Sequence, residues 1–314
     1  MSIAVRNLTK SYGEQKAVDD ISFDVKTGEI LGFLGPNGAG KTTTMKVITC
    51  YMPPNSGTVE VDGMNISDHS LAVRKKIGYL PETNPLYYDM NTLDYLEYSA
   101  KLHGLKGGAV QHRMKEMVHV CGLEEVRHKD ISELSKGYRQ RVGLAQAMIH
   151  DPDVLILDEP TSGLDPNQIV EIRNLVKQLG RAKTVVLSTH ILSEVQATCN
   201  RVLIINEGKI VADGTPEQLQ RDFQGVETLT LELRAEAVNP LDQISPKLRA
   251  IPNVTNVELL SHKDSIFRFQ IHIEKGGDIR EAAFRLAVAE GWTLLEMHRK
   301  ATSLEEVFHR LTTG

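Results

Sequence analysis

The chain has 314 residues, more than the roughly 150 of an average domain, so two domains are expected. Apolar residues make up 41% and charged residues 25%, the balance of a globular protein, which excludes wholesale disorder. The net charge is -5, with 36 Lys and Arg against 41 Asp and Glu, and this argues against general nucleic-acid binding.

In chain order, Ile21, Phe23 and Val25 alternate as in a half-buried strand before the turn at Thr27-Gly28. Ile30–Leu34 is a continuous apolar run, followed at once by a glycine-rich loop and a predicted helix over Lys41–Cys50. Residues 86–150 contain no comparable apolar runs and read as a mostly helical insert. Val154–Leu157 and Thr184–Ser188 have the pattern of buried parallel strands. The helix predicted between them places Ile169, Ile172, Leu175, Val176 and Leu179 on one face. Val202–Ile205 and Ile210–Ala212 flank a turn and predict a hairpin. Beyond Gln224 the order changes to a strand at Thr228–Leu233, a helix in 241–250, strands at Val254–Leu260 and Ile266–Ile273, a helix over Asp278–Glu290 and a strand at Thr293–Met297. That β-α-β-β-α-β order suits a small α+β ferredoxin-like domain. A last helix is opened by the capping box Ser303-Leu-Glu-Glu306. The expected division is 1–222 and 223–314.

Cys50, Cys121 and Cys199 are far apart and form no CxxC, which excludes a disulfide framework or a cysteine zinc site and fits a reducing cytoplasm. The start has no signal-peptide core, and no window reaches the roughly 18 to 20 apolar residues of a membrane span. Any membrane role is expected to come through another polypeptide.

The loop Gly35-Pro-Asn37-Gly38-Ala39-Gly40-Lys41-Thr42-Thr43 matches G-x-x-x-x-G-K-[ST] between a strand and a helix. Its glycines let backbone N–H groups turn inward to cradle phosphate oxygens, and the helix N-terminus adds its dipole. Lys41 is placed to reach the β- and γ-phosphates, and the Thr42 hydroxyl to hold Mg²⁺. A buried strand ending in Asp158 sets a carboxylate where that ion sits, and Glu159 next to it can polarise a water for in-line attack on the γ-phosphate. The scattered histidines, His112, His119 and His128 among them, have no metal-ligand spacing.

The P-loop, Leu134-Ser135-Lys-Gly137-Tyr-Arg-Gln140-Arg141, Asp158-Glu159, Ser162-Gly-Leu-Asp165 and Ser188-Thr-His190 together resemble the ATP-binding cassette of ABC transporters over the first 220 residues. The resemblance implies an α/β P-loop NTPase domain with a helical insert, Mg²⁺-dependent ATP hydrolysis, and ATP and Mg²⁺ as ligands. It implies an adenine stacked on Tyr12, nucleotide contacts from Asn37 to Thr43, and Mg²⁺ held by Thr42, Asp158 and Glu82. It gives Glu159 the base role and makes His190 a switch that contacts the γ-phosphate. Ser135 and Gly137 would complete the ATP site of a second cassette, with Asp165 crossing between the sites, so cassettes are expected to work as a homodimer or with a related cassette. Two positions depart from the family pattern. Glu82 stands where glutamine is usual, and Lys136 replaces the first glycine after the signature serine.

Tyr79-Leu-Pro-Glu82, the signature wording and the ending Ser303-Leu-Glu-Glu-Val-Phe308 resemble the ATPase subunits of ABC-2-type bacterial exporters, particularly the gliding-motility-associated and multidrug-export-like group. The partner implied is a separate membrane-spanning permease, which docks at Leu86–Leu105 and holds the chain at the inner face of the membrane. Nucleic acid is not an expected partner, since residues 228–314 have no basic stripe and Phe267 and Phe269 read as core.

Overall fold

The computed structural model describes residues 2–222, 227–236, 240–274, 277–300 and 304–313. They fall into two compact units, Met1–Pro216 with Leu311–Gly314, and Glu217–Arg310. The division comes a few residues before 222, and the last residues rejoin the first unit, where the Leu311 carbonyl accepts from Asn206 Nδ2 at 3.4 Å.

The first unit opens with β1 (Ile3–Tyr12) and β2 (Gln15–Val25), then β3 (Ile30–Leu34) and α1 (Lys41–Ile48). There follow β4 (Ser56–Val61), β5 (Met64–Asn65), α2 (Ser70–Lys76) and β6 (Ile77–Leu80). The insert holds α3 (Thr92–Leu102), α4 (Gly108–Val120) and α5 (Lys136–Met148). After it come β7 (Val154–Asp158), α6 (Pro166–Leu179), β8 (Thr184–Thr189), α7 (Leu192–Thr198), β9 (Arg201–Asn206) and β10 (Lys209–Gly214).

The main sheet runs β10-β9-β3-β8-β7-β6, parallel except for the β9–β10 hairpin. β3, β7 and β8 are buried at every position, covered on both faces, which is why they read as unbroken apolar runs. A second, antiparallel sheet runs β2-β1-β4-β5. Between the sheets Phe23 and Phe33 pack at 5.6 Å in one apolar core with Val5, Leu31 and Ile156.

Within the insert, Ser135 caps α5 by accepting from Tyr138 N–H at 3.3 Å. α5 lies so close to the segment after β6 that a Cβ on Gly143 would sit 1.8 Å from Asn84 Nδ2, so a side chain there would have to displace Asn84. Asn84 Nδ2 in turn donates to the Arg139 carbonyl at 3.1 Å.

α8 (Pro216–Asp222) leads to the second unit. Its elements are β11 (Glu227–Arg234), α9 (Pro240–Gln243), α10 (Ser245–Arg249), β12 (Val254–Lys263), β13 (Ile266–Ile273), α11 (Arg280–Ala289), β14 (Thr293–Lys300) and α12 (Leu304–Thr313) as far as Arg310, its last turn belonging to the first unit. Its sheet, β12-β13-β11-β14, is antiparallel throughout. β13 alternates strictly, with Phe267, Phe269, Ile271 and Ile273 packed on Leu229, Leu231 and Leu248. The helix expected in 241–250 is two short ones separated at Ile244, and Ser303 of the expected capping box lies outside the described residues. Among the described residues, no helix is long and apolar enough to cross a membrane.

Candidate nucleotide site

β3 ends at Leu34 and the chain turns through Gly35–Gly40 into α1 at Lys41. Gly40 has φ +107°, and a Cβ there would lie 2.4 Å from the Ala17 carbonyl, so the loop closes against the β2 segment only with glycine. The loop and the first turn of α1 form a pocket of about 320 Å³ lined by Asn37, Gly38, Gly40, Lys41, Thr42 and Thr43, together with Ala17, Glu82 and Glu159. Ala39 is buried beneath this loop, its N–H directed to the Pro36 carbonyl at 3.2 Å and its carbonyl accepting from Gly208 N–H at 3.0 Å.

Lys41 is buried. Its Nζ donates to the Gly35 carbonyl at 2.8 Å and the Pro36 carbonyl at 3.1 Å, and pairs with Glu159 Oε1 at 3.3 Å. The other Glu159 oxygen, Oε2, lies 2.8 Å from His190 Nδ1. Glu159 takes a left-handed backbone, φ +48°, which a non-glycine residue adopts at a cost of about 1–3 kcal/mol when its surroundings hold it. They do: its N–H donates to both the carbonyl and the Oγ of Ser188, each at 3.1 Å. The Ser188 hydroxyl also donates to Asp158 Oδ1. This seryl link, from the end of β8 to the end of β7, is invisible in either segment alone.

Burial raises the Asp158 carboxyl above its ordinary value, hydrogen bonds from Ser188 and Thr42 oppose this, and the neighbouring carboxylates Glu82 and Glu159 add to it. Asp158 Oδ2 is buried with no protein partner. An orphaned carboxylate oxygen beside a threonine hydroxyl and a second carboxylate is a hard oxygen donor set, so these residues fit Mg²⁺.

The remaining expected residues lie apart from this cluster. Tyr12 is 51% exposed and its hydroxyl donates to Met52 Sδ at 3.2 Å; it does not line the P-loop pocket. Ser135 and Gly137 open α5, where a Cβ on Gly137 would meet the Gln168 amide at 2.7–2.8 Å. Asp165 caps α6, accepting from the N–H groups of Asn167 and Gln168 at 3.0 Å. Lys136 reaches over the loop between them, since a Cβ on Gly163 would lie 2.1 Å from its Nζ.

A groove of about 570 Å³ begins beside Thr42, Asp158 and Glu82 and continues past Arg74, Tyr79 and Pro85 to His103 and His150. The two histidine rings stack at 3.8 Å. Burial, helped by His103, holds His150 down to about 4, and burial lowers His103 as well. The tyrosines of the insert divide: Tyr95 is buried, while Tyr87, Tyr88 and Tyr98 are exposed. Tyr87 stands edge-on to both Tyr95 and Tyr98 around an adjoining pocket of about 200 Å³. Among the described residues no three His, Cys, Asp or Glu side chains form a metal-binding group.

Residues 18–162 match the ABC transporter family. The bacitracin transport ATP-binding protein BcrA of Bacillus licheniformis is 33% identical over 99% of this chain and 97% of its own length. The Nod factor export ATP-binding protein I of Ralstonia nicotianae is 32% identical over 99% of this chain and 93% of its own. Among solved structures, the ATP-binding subunit of an ABC transporter superposes with a TM-score of 0.65 at 30% identity, over 71% of this chain and 93% of that one. A dimeric, post-hydrolysis ATP-binding cassette bound to ADP and Pi superposes with a TM-score of 0.63 at 27% identity, over 68% and 98%. Relatedness along nearly its whole length, with Glu159 joining the P-loop lysine to His190 at the P-loop pocket, makes this chain a member of the ABC transporter family, an ATP-binding and ATP-hydrolysing subunit.

Proposed function

We propose that two cassettes close head to tail on two Mg²⁺-ATP molecules and that reopening after hydrolysis drives a separate membrane-spanning permease in export. The observation that carries this is the joining of Lys41, Glu159 and His190 at 3.3 and 2.8 Å beside Asp158 and Thr42. In it Lys41 and the P-loop amides hold the phosphates, and Thr42, Asp158 and Glu82 would hold Mg²⁺, which would supply neutralisation of phosphate charge. Glu159 accepts the proton of the attacking water and His190 orients both. Tyr12, exposed at the end of β1, offers its ring to adenine.

Pairing is supported by the signature end of α5, because Ser135 and Gly137 do not line their own chain's pocket. It is supported too by a similar cassette that is dimeric with ADP and Pi. The export direction follows relatives whose names speak of bacitracin transport and Nod factor export. The permease would dock along Leu86–Leu105, where Tyr87 and Tyr98 are exposed, and at the groove lined by Tyr79, Pro85 and His103, and would hold the cassette at the inner face of the membrane. We assign residues 223–314 to an accessory domain outside the nucleotide site. Removing them would leave ATP affinity within a few-fold.

The test is Glu159→Gln. With ATP and Mg²⁺ it should elute from gel filtration as a dimer and turn over ATP about 10²–10⁴ times more slowly than the parent chain. Normal turnover would remove Glu159 from its role, and a variant that binds ATP yet stays monomeric would point to pairing with a different cassette.

A further inference from the structure

Close in sequence to the proposed site or on the helices that follow it, four residues each carry a buried polar atom without a protein partner: Thr161 Oγ1, Arg173 Nε, Glu194 Oε1 and Thr198 Oγ1. All four residues line the same small cavity, whose volume is about 10 Å³. Glu194, Thr161 and Thr198 are 4%, 5% and 7% exposed. Buried polar groups are ordinarily satisfied, so four orphans around one space need a common partner. A volume of roughly 10–15 Å³ admits the centre of one water, and the inventory of donors and acceptors suits that molecule. The Arg173 N–H can only donate and the Glu194 carboxylate can only accept, while each threonine hydroxyl does either. A bound cation would face the Arg173 guanidinium; a water accepts from Arg173 and donates to Glu194.

The cavity lies where three segments of the site meet. Thr161 is two residues beyond Glu159, Arg173 is on α6, and Glu194 and Thr198 are on α7. The second Glu194 oxygen, Oε2, accepts from the Thr189 hydroxyl at 2.9 Å, and Thr189 Oγ1 accepts from Ile191 N–H at 3.0 Å. The residues on both sides of His190 are thus tied to Glu194, while His190 itself reaches Glu159 at 2.8 Å.

We infer that this cavity is the site of one structural water and that Glu194, anchored by it, is a positioning residue that holds His190 against Glu159. The kinetic part rests on the roles proposed above for Glu159 and His190; the water does not. A high-resolution crystal structure of the full chain should contain one ordered water within hydrogen-bonding distance of at least three of the four atoms. A cavity without it, or one closed by direct pairing of those side chains, overturns the site. In steady-state kinetics, Glu194→Ala should lower kcat about tenfold while the KM for ATP stays within about twofold, because it disturbs the aim of His190 more than ground-state binding. Glu194→Gln keeps an acceptor for Thr189 and a polar group toward the water, and should restore most of the loss. Thr189→Val cuts the same link from the other end without changing shape, and should reproduce the Glu194→Ala phenotype even where Glu194→Ala does not fold. Parental kcat in Thr189→Val overturns the positioning role, as does a parallel loss in kcat and KM that Glu194→Gln fails to rescue.

Discussion

The two compact units solve the problem of charge in opposite ways. In the first, Lys41, Asp158, Glu159 and Glu194 are all more than nine-tenths buried, and each is tied to a backbone group, a hydroxyl or another charge. In the second, no charged side chain among the described residues is buried, and charges such as Arg268, Glu232 and Glu296 occupy the half-exposed face of the sheet. Burying a charge costs several kcal/mol before its partners repay it, so a fold concentrates that expense where reactivity needs it. The first unit alone has buried carboxylates with an orphaned oxygen among the described residues, Asp158, Glu159 and Glu194, and it holds the proposed site.

Substitutions that exchange the two strategies sharpen this contrast. The largest effect is expected from Lys41→Met, which removes the cation proposed to hold the phosphates and leaves Glu159 without its ion-pair partner. ATP hydrolysis should fall by about 10²–10³, measured as phosphate release at saturating Mg²⁺. Activity near the parental level would mean that the buried charges of the site are dispensable. Next is Phe269→Ala in the second unit, where a fully buried ring leaves a cavity and about 3–5 kcal/mol is lost. Differential scanning calorimetry should show that unit melting early while the ATPase rate stays within a few-fold; a collapse of both would break the division of labour.

The pH dependence of the first unit is smaller. His150 is held to about 4 in the folded chain against 6.5 when unfolded. Between those values the unfolded chain takes up a proton that the folded one refuses. The stability is therefore fully present above pH 6.5 and declines as the pH falls toward 4. Allowing for the partial exposure of the ring, the loss is about 1 kcal/mol. Urea midpoints on the two sides of this window should show it, and His150→Gln should flatten it. An unchanged slope in that variant would shift the cause to other groups. Smallest of all is Arg268→Ala, which breaks two solvent-facing pairs at 3.8 and 3.4 Å and should cost less than about 1 kcal/mol.

Much of the first unit is legible from the chain alone, for a reason specific to parallel sheets. β3, β7 and β8 are covered on both faces and appear as short solid apolar runs, with Lys41 and Asp158-Glu159 at their C-terminal ends. The β9–β10 hairpin is equally plain. β1 is not, because its pairing with β2 slips at three places and Asn7 takes φ +49°, so the alternation is broken before a pattern forms. The helix read through Cys50 stops at Ile48 since Cys50 is left-handed at φ +59°. The Lys41–Glu159 pair and the Ser188 link join segments more than 25 residues apart, and no local pattern announces them. The tyrosines of the insert were indistinguishable by spacing, and only packing separates the buried Tyr95 from its exposed neighbours.

The glycine contact under α5 also has a mechanical meaning. With Asn84 pressed on Gly143 and bonded to the Arg139 carbonyl, the helix is pinned part-way along its length to the segment that carries Glu82. Ser135 lies eight residues from that pin, roughly 12 Å at 1.5 Å per residue. Any tilt of α5 about this contact is largest at its Ser135 end. A tilt of about 5° over that distance carries Ser135 through about 1 Å, enough to make or break a hydrogen bond at its far end.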